Sequence, residues 1–247
     1  MTAVLRIEEP RGSLIGGNLS AKLEVYPTDR TTTVEIDGVP RPLEYDPTAA
    51  MALWLQESPI WAQVRAGFLG QPGIVQQAGL RERAQDGLYI LEPYRADRMP
   101  VVLVHGTASS PARWAELVNE LRGDPRIRER FQIWLFIYDN GNPIVYSGGR
   151  LRQALENAVH EADPSGTSEA LRRMVIIGHS QGGLLTKLSV VDSGDRFWRN
   201  QMDVPFESLK LSAETRQLVQ ESIFFTPLPF VRRVIFIATP HGGSAVT

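Results

Sequence analysis

The stretch Val175-Ile176-Ile177-Gly178-His179-Ser180-Gln181-Gly182-Gly183 constrains this chain more than any other. Its apolar, β-branched start reads as a strand buried on both faces. A helical pattern leaves it and runs through Leu188. A strand that becomes a helix across so few residues must turn sharply, and neighbouring side chains would clash there, which is what glycine avoids. Gly178-His179-Ser180-Gln181-Gly182 is a Gly-x-Ser-x-Gly pentapeptide with the serine at the turn. The pentapeptide alone is weak, and the strand before it and the helix after it give it weight. The bland reading of the same residues is a glycine-rich strand–helix turn with an incidental serine.

Buried strands alternate with amphipathic helices on both sides of this turn. Val101-Val102-Leu103-Val104 is a continuous apolar run. Ser110-Pro111 opens a helix, with serine as N-cap and proline in the first turn, and Trp114, Leu117, Val118 and Leu121 follow at helical spacing. Phe131 to Tyr138 is a second buried strand, closed by Asp139-Asn140-Gly141. A helix from about Ser147 to Ala162 buries Leu151, Ala154, Leu155 and Ala158. Met174 to Ile177 is a third strand and Val234 to Ala238 a fourth. This alternation predicts an α/β fold, a mostly parallel sheet with helices on both faces.

The first sixty residues read differently, as a small β-rich N-terminal segment. Leu19, Ala21, Leu23 and Val25 alternate like a half-buried strand. Thr31 to Ile36 is β-branched and meets Asp37-Gly38, a hairpin signal. Pro40 and Pro42 confine the return arm to an edge strand or an extended arm. Asp46-Pro47-Thr48 reads as a helix start, with Met51, Trp54 and Leu55 on one face. Residues 61–98 are linker-like, with a short strand at Leu88 to Leu91. The regular core occupies 99–247. Within it, 192–230 is a long connection carrying Phe197, Trp198, Phe206, Phe224, Phe225 and Phe230, with one helix near Ser212 to Ile223. It is either an ordinary connection with its own small core or a cap whose aromatics face an apolar substrate.

Composition removes several classes of function. With 26 Lys and Arg against 28 Asp and Glu, the chain gives no electrostatic case for nucleic acid. It has no cysteine, hence no disulfide, thiolate metal site or catalytic thiol. No basic start followed by an apolar stretch opens it, and no run reaches the ~18 apolar residues of a membrane span. The compartment stays open between cytoplasm and cell envelope. There is no phosphate-binding glycine loop, no His-Glu-x-x-His and no carboxylate cluster with metal spacing. Arg122, Arg126, Arg128 and Arg130, interleaved with Asp124 and Glu129, read as a solvated helix face.

The chemistry centres on Ser180. A serine at such a turn stands at a helix N-terminus, whose N–H groups point at a developing oxyanion. His105-Gly106-Thr107 follows the strand Val101–Val104 and can offer a second backbone N–H. His105 reads as a structural histidine, and His160 as solvated.

The segments VVLVHGTASSPARW, GHSQGG and IFIATPHGGS together resemble the α/β-hydrolase superfamily, in its serine esterase and lipase branch. The last is similar to bacterial lipase-like proteins related to the GPI inositol-deacylase group. The resemblance covers about residues 99–247 and leaves 1–60 outside. It implies an α/β-hydrolase fold, a Ser–His–acid triad, an acyl-enzyme on Ser180, and no metal or organic cofactor. It places the oxyanion donors at the backbone of Gln181 and Thr107. The substrate implied is a small-molecule or lipid ester.

The chain departs from the family in its base and acid. His241 is the sole histidine after Ser180, and by chain order it is a candidate base. The family uses that segment as a turn. Asp192, Asp195 and Asp203 are acids by order alone, and surface charge is the alternative for each. The expectation is a core whose last strands, base and acid lie beyond Thr247, so that these 247 residues alone are inactive or nearly so. An amidase or acyltransferase would use the same machinery. A non-catalytic hydrolase-fold binding protein is the reading from another class.

Overall fold

The computed structural model describes residues 2–7, 11, 15–17, 20–28, 31–44, 87–107, 111–200 and 202–243. The expected helix at Met51, Trp54 and Leu55, the Leu19 end of the alternating strand and the Ser110 cap lie outside these residues, as does most of the linker-like stretch.

Two hairpins form the N-terminal part. Strand β1 (Thr2–Ile7) pairs antiparallel with β2 (Ala21–Tyr26), and β3 (Thr33–Ile36) with β4 (Val39–Pro42). Asp37 and Gly38 both have positive φ (52° and 72°), as a two-residue hairpin turn with the strands' own twist requires. The alternation in β2 faces outward, against the expectation of a half-buried strand. Ala3 lies opposite Val25, Leu5 opposite Leu23, and Ile7 opposite Ala21. Leu5, Leu23 and Val25 on that face are all exposed. The other face is taken by polar contacts. Arg6 donates to both Glu24 carboxylate oxygens and to the Glu35 carbonyl of β3, and the Tyr26 hydroxyl donates to Glu24.

The main sheet has five strands in the order β5 (Gly87–Ile90), β7 (Phe131–Ile137), β6 (Met99–Val104), β8 (Met174–His179), β9 (Val231–Ile237). All neighbours are parallel except β5, which runs antiparallel to β7. The sheet therefore takes a strand from the stretch read as linker-like and begins before Met99. Among the described residues these helices accompany it: α1 (Ala115–Gly123), α2 (Pro125–Arg130), α3 (Ile144–Ala162), α4 (Gln181–Leu188), α5 (Arg196–Arg199) and α6 (Ala213–Ile223).

Both faces of the sheet are covered, which is why its central strands are apolar on both sides. On one face Leu151 and Leu155 of α3 and Leu185 of α4 meet Val102, Val104, Trp134, Phe136, Met174 and Ile176. On the other, Trp114, Ala115 and Val118 meet Val101, Leu103, Ile133 and Leu135. Helices α3 and α4 approach closely because residue 148 is glycine; a Cβ there would stand 2.6 Å from Leu188 Cδ1. Among the described residues β9 is a sheet edge, with Ile235, Phe236 and Ile237 exposed.

Three local expectations change. Pro111–Trp114 forms a 3₁₀ turn, and α1 starts only at Ala115. The arginine-rich run is split: Arg122 ends α1, while Arg126, Arg128 and Arg130 form a separate helix, α2, capped by Asp124, which accepts from the Arg126 N–H. Arg128 is not solvated: it is buried and donates to the Arg122 carbonyl.

Candidate active site

The chain order sets where a site can form. From β6 the chain moves to β7 on one side, then crosses back through α3 to β8 on the other. The sheet order reverses between β6 and β8, and the crevice at the carboxyl ends of two such strands is the usual ligand position of an open α/β sheet. Thr107 follows β6 and Ser180 follows β8, so both stand at that crevice.

Ser180 has φ 52° and ψ −123°. A non-glycine residue with positive φ outside the left-handed helical well carries about 1–3 kcal/mol of strain, held only when its surroundings over-determine it. They do so here. The Ser180 N–H donates to the Ile237 carbonyl of β9 at 2.8 Å, and its own carbonyl accepts from the Gly183 N–H at 3.0 Å. The flanking glycines permit the turn by close approach. A Cβ on Gly178 would stand 2.6 Å from the Gly182 carbonyl oxygen, and one on Gly182 would collide with the carbonyl oxygens of Val104 and His105.

The two oxyanion candidates are brought together. The Thr107 hydroxyl donates to Gln181 Oε1 at 2.8 Å, across 74 residues of sequence. Gln181 is the first residue of α4, so its N–H has no intrahelical acceptor and points out of the helix end. The loop before Thr107 lies against the serine: a Cβ on Gly106 would stand 2.7 Å from Ser180 Cβ.

The four histidines separate by environment. His105 is buried and stacks on Tyr138, with ring centroids 4.5 Å apart. Its Nδ1 lies 3.2 Å from the Gly106 carbonyl oxygen, and its Nε2 accepts from the Tyr138 N–H at 3.5 Å. Tyr138 in turn donates its hydroxyl to the His105 carbonyl at 2.8 Å. Burial holds the imidazole neutral by pushing its pKa down to about 4. His179 meets Trp114 edge-on, and burial, with Arg113 nearby, lowers its pKa as well. His160 is exposed in the last turn of α3. His241 is exposed beyond β9, edge-on to Phe236. Among the described residues no hydrogen bond joins any of them to Ser180.

The acids placed by chain order have other work. Asp192 accepts from the Gly194 N–H, Asp195 pairs with Arg199, and Asp203 is exposed. Five of the six aromatics of 192–230 meet one another, and Phe230 joins the core of the sheet. Trp198 packs on Phe206 and Phe224, Phe197 on Phe225, and the Arg152 guanidinium of α3 lies over Phe225. A cavity of about 320 Å³ opens between α3 and α6 beside Phe224, and one of about 550 Å³ lies near Tyr94 and Arg173; neither is lined by Ser180. No group of three metal-ligating side chains occurs among the described residues.

Two features of the site carry only a faint sequence signal. Gly106 gives way to Ser180, and a glycine directly after a buried strand's histidine is its only trace. Thr239 lies against Gly183, where any Cβ would collide with its side chain, just past Ala238 with φ 47°. No family model matches this chain, and no curated protein matches it in sequence.

Proposed function

We propose that this chain carries the nucleophile and oxyanion hole of an α/β-hydrolase that cleaves carboxylic esters through an acyl-enzyme on Ser180. The observation that carries the reading is the positive φ of Ser180 at a strand–helix turn, held by the Ile237 carbonyl and glycine contacts. A strained serine is costly to keep without use. The mostly parallel sheet and the meeting of Thr107 with Gln181 support it.

In this mechanism Ser180 Oγ attacks the ester carbonyl carbon as a general base takes its proton. The carbonyl oxygen becomes an oxyanion between the N–H groups of Gln181 and Thr107. Collapse breaks the bond to the alcohol oxygen, which leaves with the proton held by the base. Water then attacks the acyl ester by the same steps and frees Ser180. An amine leaving group would make the reaction an amidase's, and an alcohol or amine acceptor a transferase's.

The test is covalent labelling with a fluorophosphonate. Folded full-length protein is expected to be labelled, and Ser180→Ala to lose the label. Persistent labelling of Ser180→Ala would place the nucleophile elsewhere, and an unlabelled but folded wild-type protein would make the fold a binding module. A series of esters of rising chain length then reads the acyl preference.

A further inference from the structure

The oxyanion donors of the reading above are backbone groups, yet their side chains are joined. We infer that the Thr107–Gln181 side-chain hydrogen bond is a latch that sets the distance between the two N–H donors, so that both side chains are positioning groups. This inference rests on the proposed hydrolase function and adds residues that act through side chains rather than backbone.

The geometry shows why a latch has work to do at this point. On the α4 side, Gln181 follows the strained Ser180 directly, and Gly182 is pressed against the carbonyls of Val104 and His105. On the β6 side, Val104 is paired in the sheet and the His105 carbonyl accepts from Tyr138. Gly106 stands against Ser180 and the His179 carbonyl. Each of these contacts ends at Gly106. Thr107 is exposed, and the strand ladder has stopped at Val104. The Gly106 carbonyl of the peptide that carries the Thr107 N–H lies 3.2 Å from His105 Nδ1, and among the described residues the hydroxyl bond at 2.8 Å is the contact that ties the Thr107 side of that peptide to the first turn of α4. A donor must lie within about 2.7–3.1 Å of the oxyanion's position, so a small rotation of that plane removes it from use.

The latch predicts a loss in turnover without a loss in substrate binding. Thr107→Val keeps the shape and removes the hydroxyl donor; Gln181→Met keeps the length and removes the acceptor. In the full-length protein each is expected to lower kcat on a p-nitrophenyl ester about tenfold with KM within about twofold. The double variant is expected to lose no more than either single one, since both cut the same bond. Thr107→Ser, which restores the donor, is expected to recover most of the rate. Amide hydrogen exchange at residues 105–107 is expected to speed in Thr107→Val while the melting temperature hardly moves. Wild-type kcat and exchange in Thr107→Val, or losses that add in the double variant, would overturn the latch. If Ser180→Ala retains full ester turnover, the hydrolase reading fails instead, and the exchange measurement alone decides whether the latch exists.

Discussion

At the scale of single residues, two side chains sit where their environment works against their ordinary preference. His105 is neutral because the ring is buried against Tyr138, with Nε2 facing the Tyr138 N–H. A proton added to Nε2 would face that N–H with no acceptor near it. The folded pKa is about 4 against an ordinary 6.5, so the unfolded chain binds the proton first as pH falls. The stability contribution is whole above pH 6.5 and is lost between 6.5 and 4, by up to about 3 kcal/mol from the size of the shift. His105→Gln cannot titrate. The stability gap between wild type and this variant, from urea unfolding, is expected to shift against the wild type as pH drops from 7 to 4.5. A gap independent of pH would mean that His105 is not held neutral.

Ser180 stores strain rather than charge. Glycine at its φ of 52° and ψ of −123° meets no Cβ penalty, although it gives up about 0.5–1 kcal/mol of chain entropy. Ser180→Gly is therefore expected to raise stability by about 1 kcal/mol while abolishing fluorophosphonate labelling. A destabilised Ser180→Gly would show the turn to be relaxed.

At the scale of elements, helix α3 works on two sides. Its Leu151 and Leu155 fill the sheet face, and Gly149 lies 3.2 Å, by its absent Cβ, from the Glu221 carbonyl of α6. The 192–230 connection is thereby seated on α3. Trp198 anchors it: the indole N–H donates to the Val204 carbonyl at 2.7 Å, and the ring packs on Phe206 at 5.1 Å. Trp198→Ala is expected to cost about 3 kcal/mol in urea unfolding, the range for a buried aromatic, and to leave the label on Ser180. If the variant instead kept its stability and changed ester chain-length preference, those aromatics would face substrate.

Element legibility followed burial. Strands β6, β7 and β8 were plain in the sequence because both their faces are covered, and the Asp37-Gly38 turn because two positive φ values need those residues. β5 was read as a short strand at Leu88 to Leu91 but left outside the core, because four residues pairing with one neighbour do not show which sheet they join. β2 was read inside out because alternation fixes which residues share a face, while the contacts of Arg6, Glu24 and Tyr26 decide which face turns inward.

At the scale of the molecule, the sheet order gives the site its position. β6 lies between β7 and β8, so the crevice opens where the chain changes direction, and two segments 74 residues apart meet there. The sequence by itself determined the α/β class, the strand–serine–helix turn and the glycines beside it, because buried strands and sharp turns restrict residue type locally. It named Thr107 and Gln181 as backbone donors through resemblance. Only the tertiary structure decided that their side chains bond, that Gly106 yields to Ser180 and that five of the 192–230 aromatics pack on each other. Those are contacts between distant segments, and distance along the chain carries no record of them until the sheet brings its strands into order.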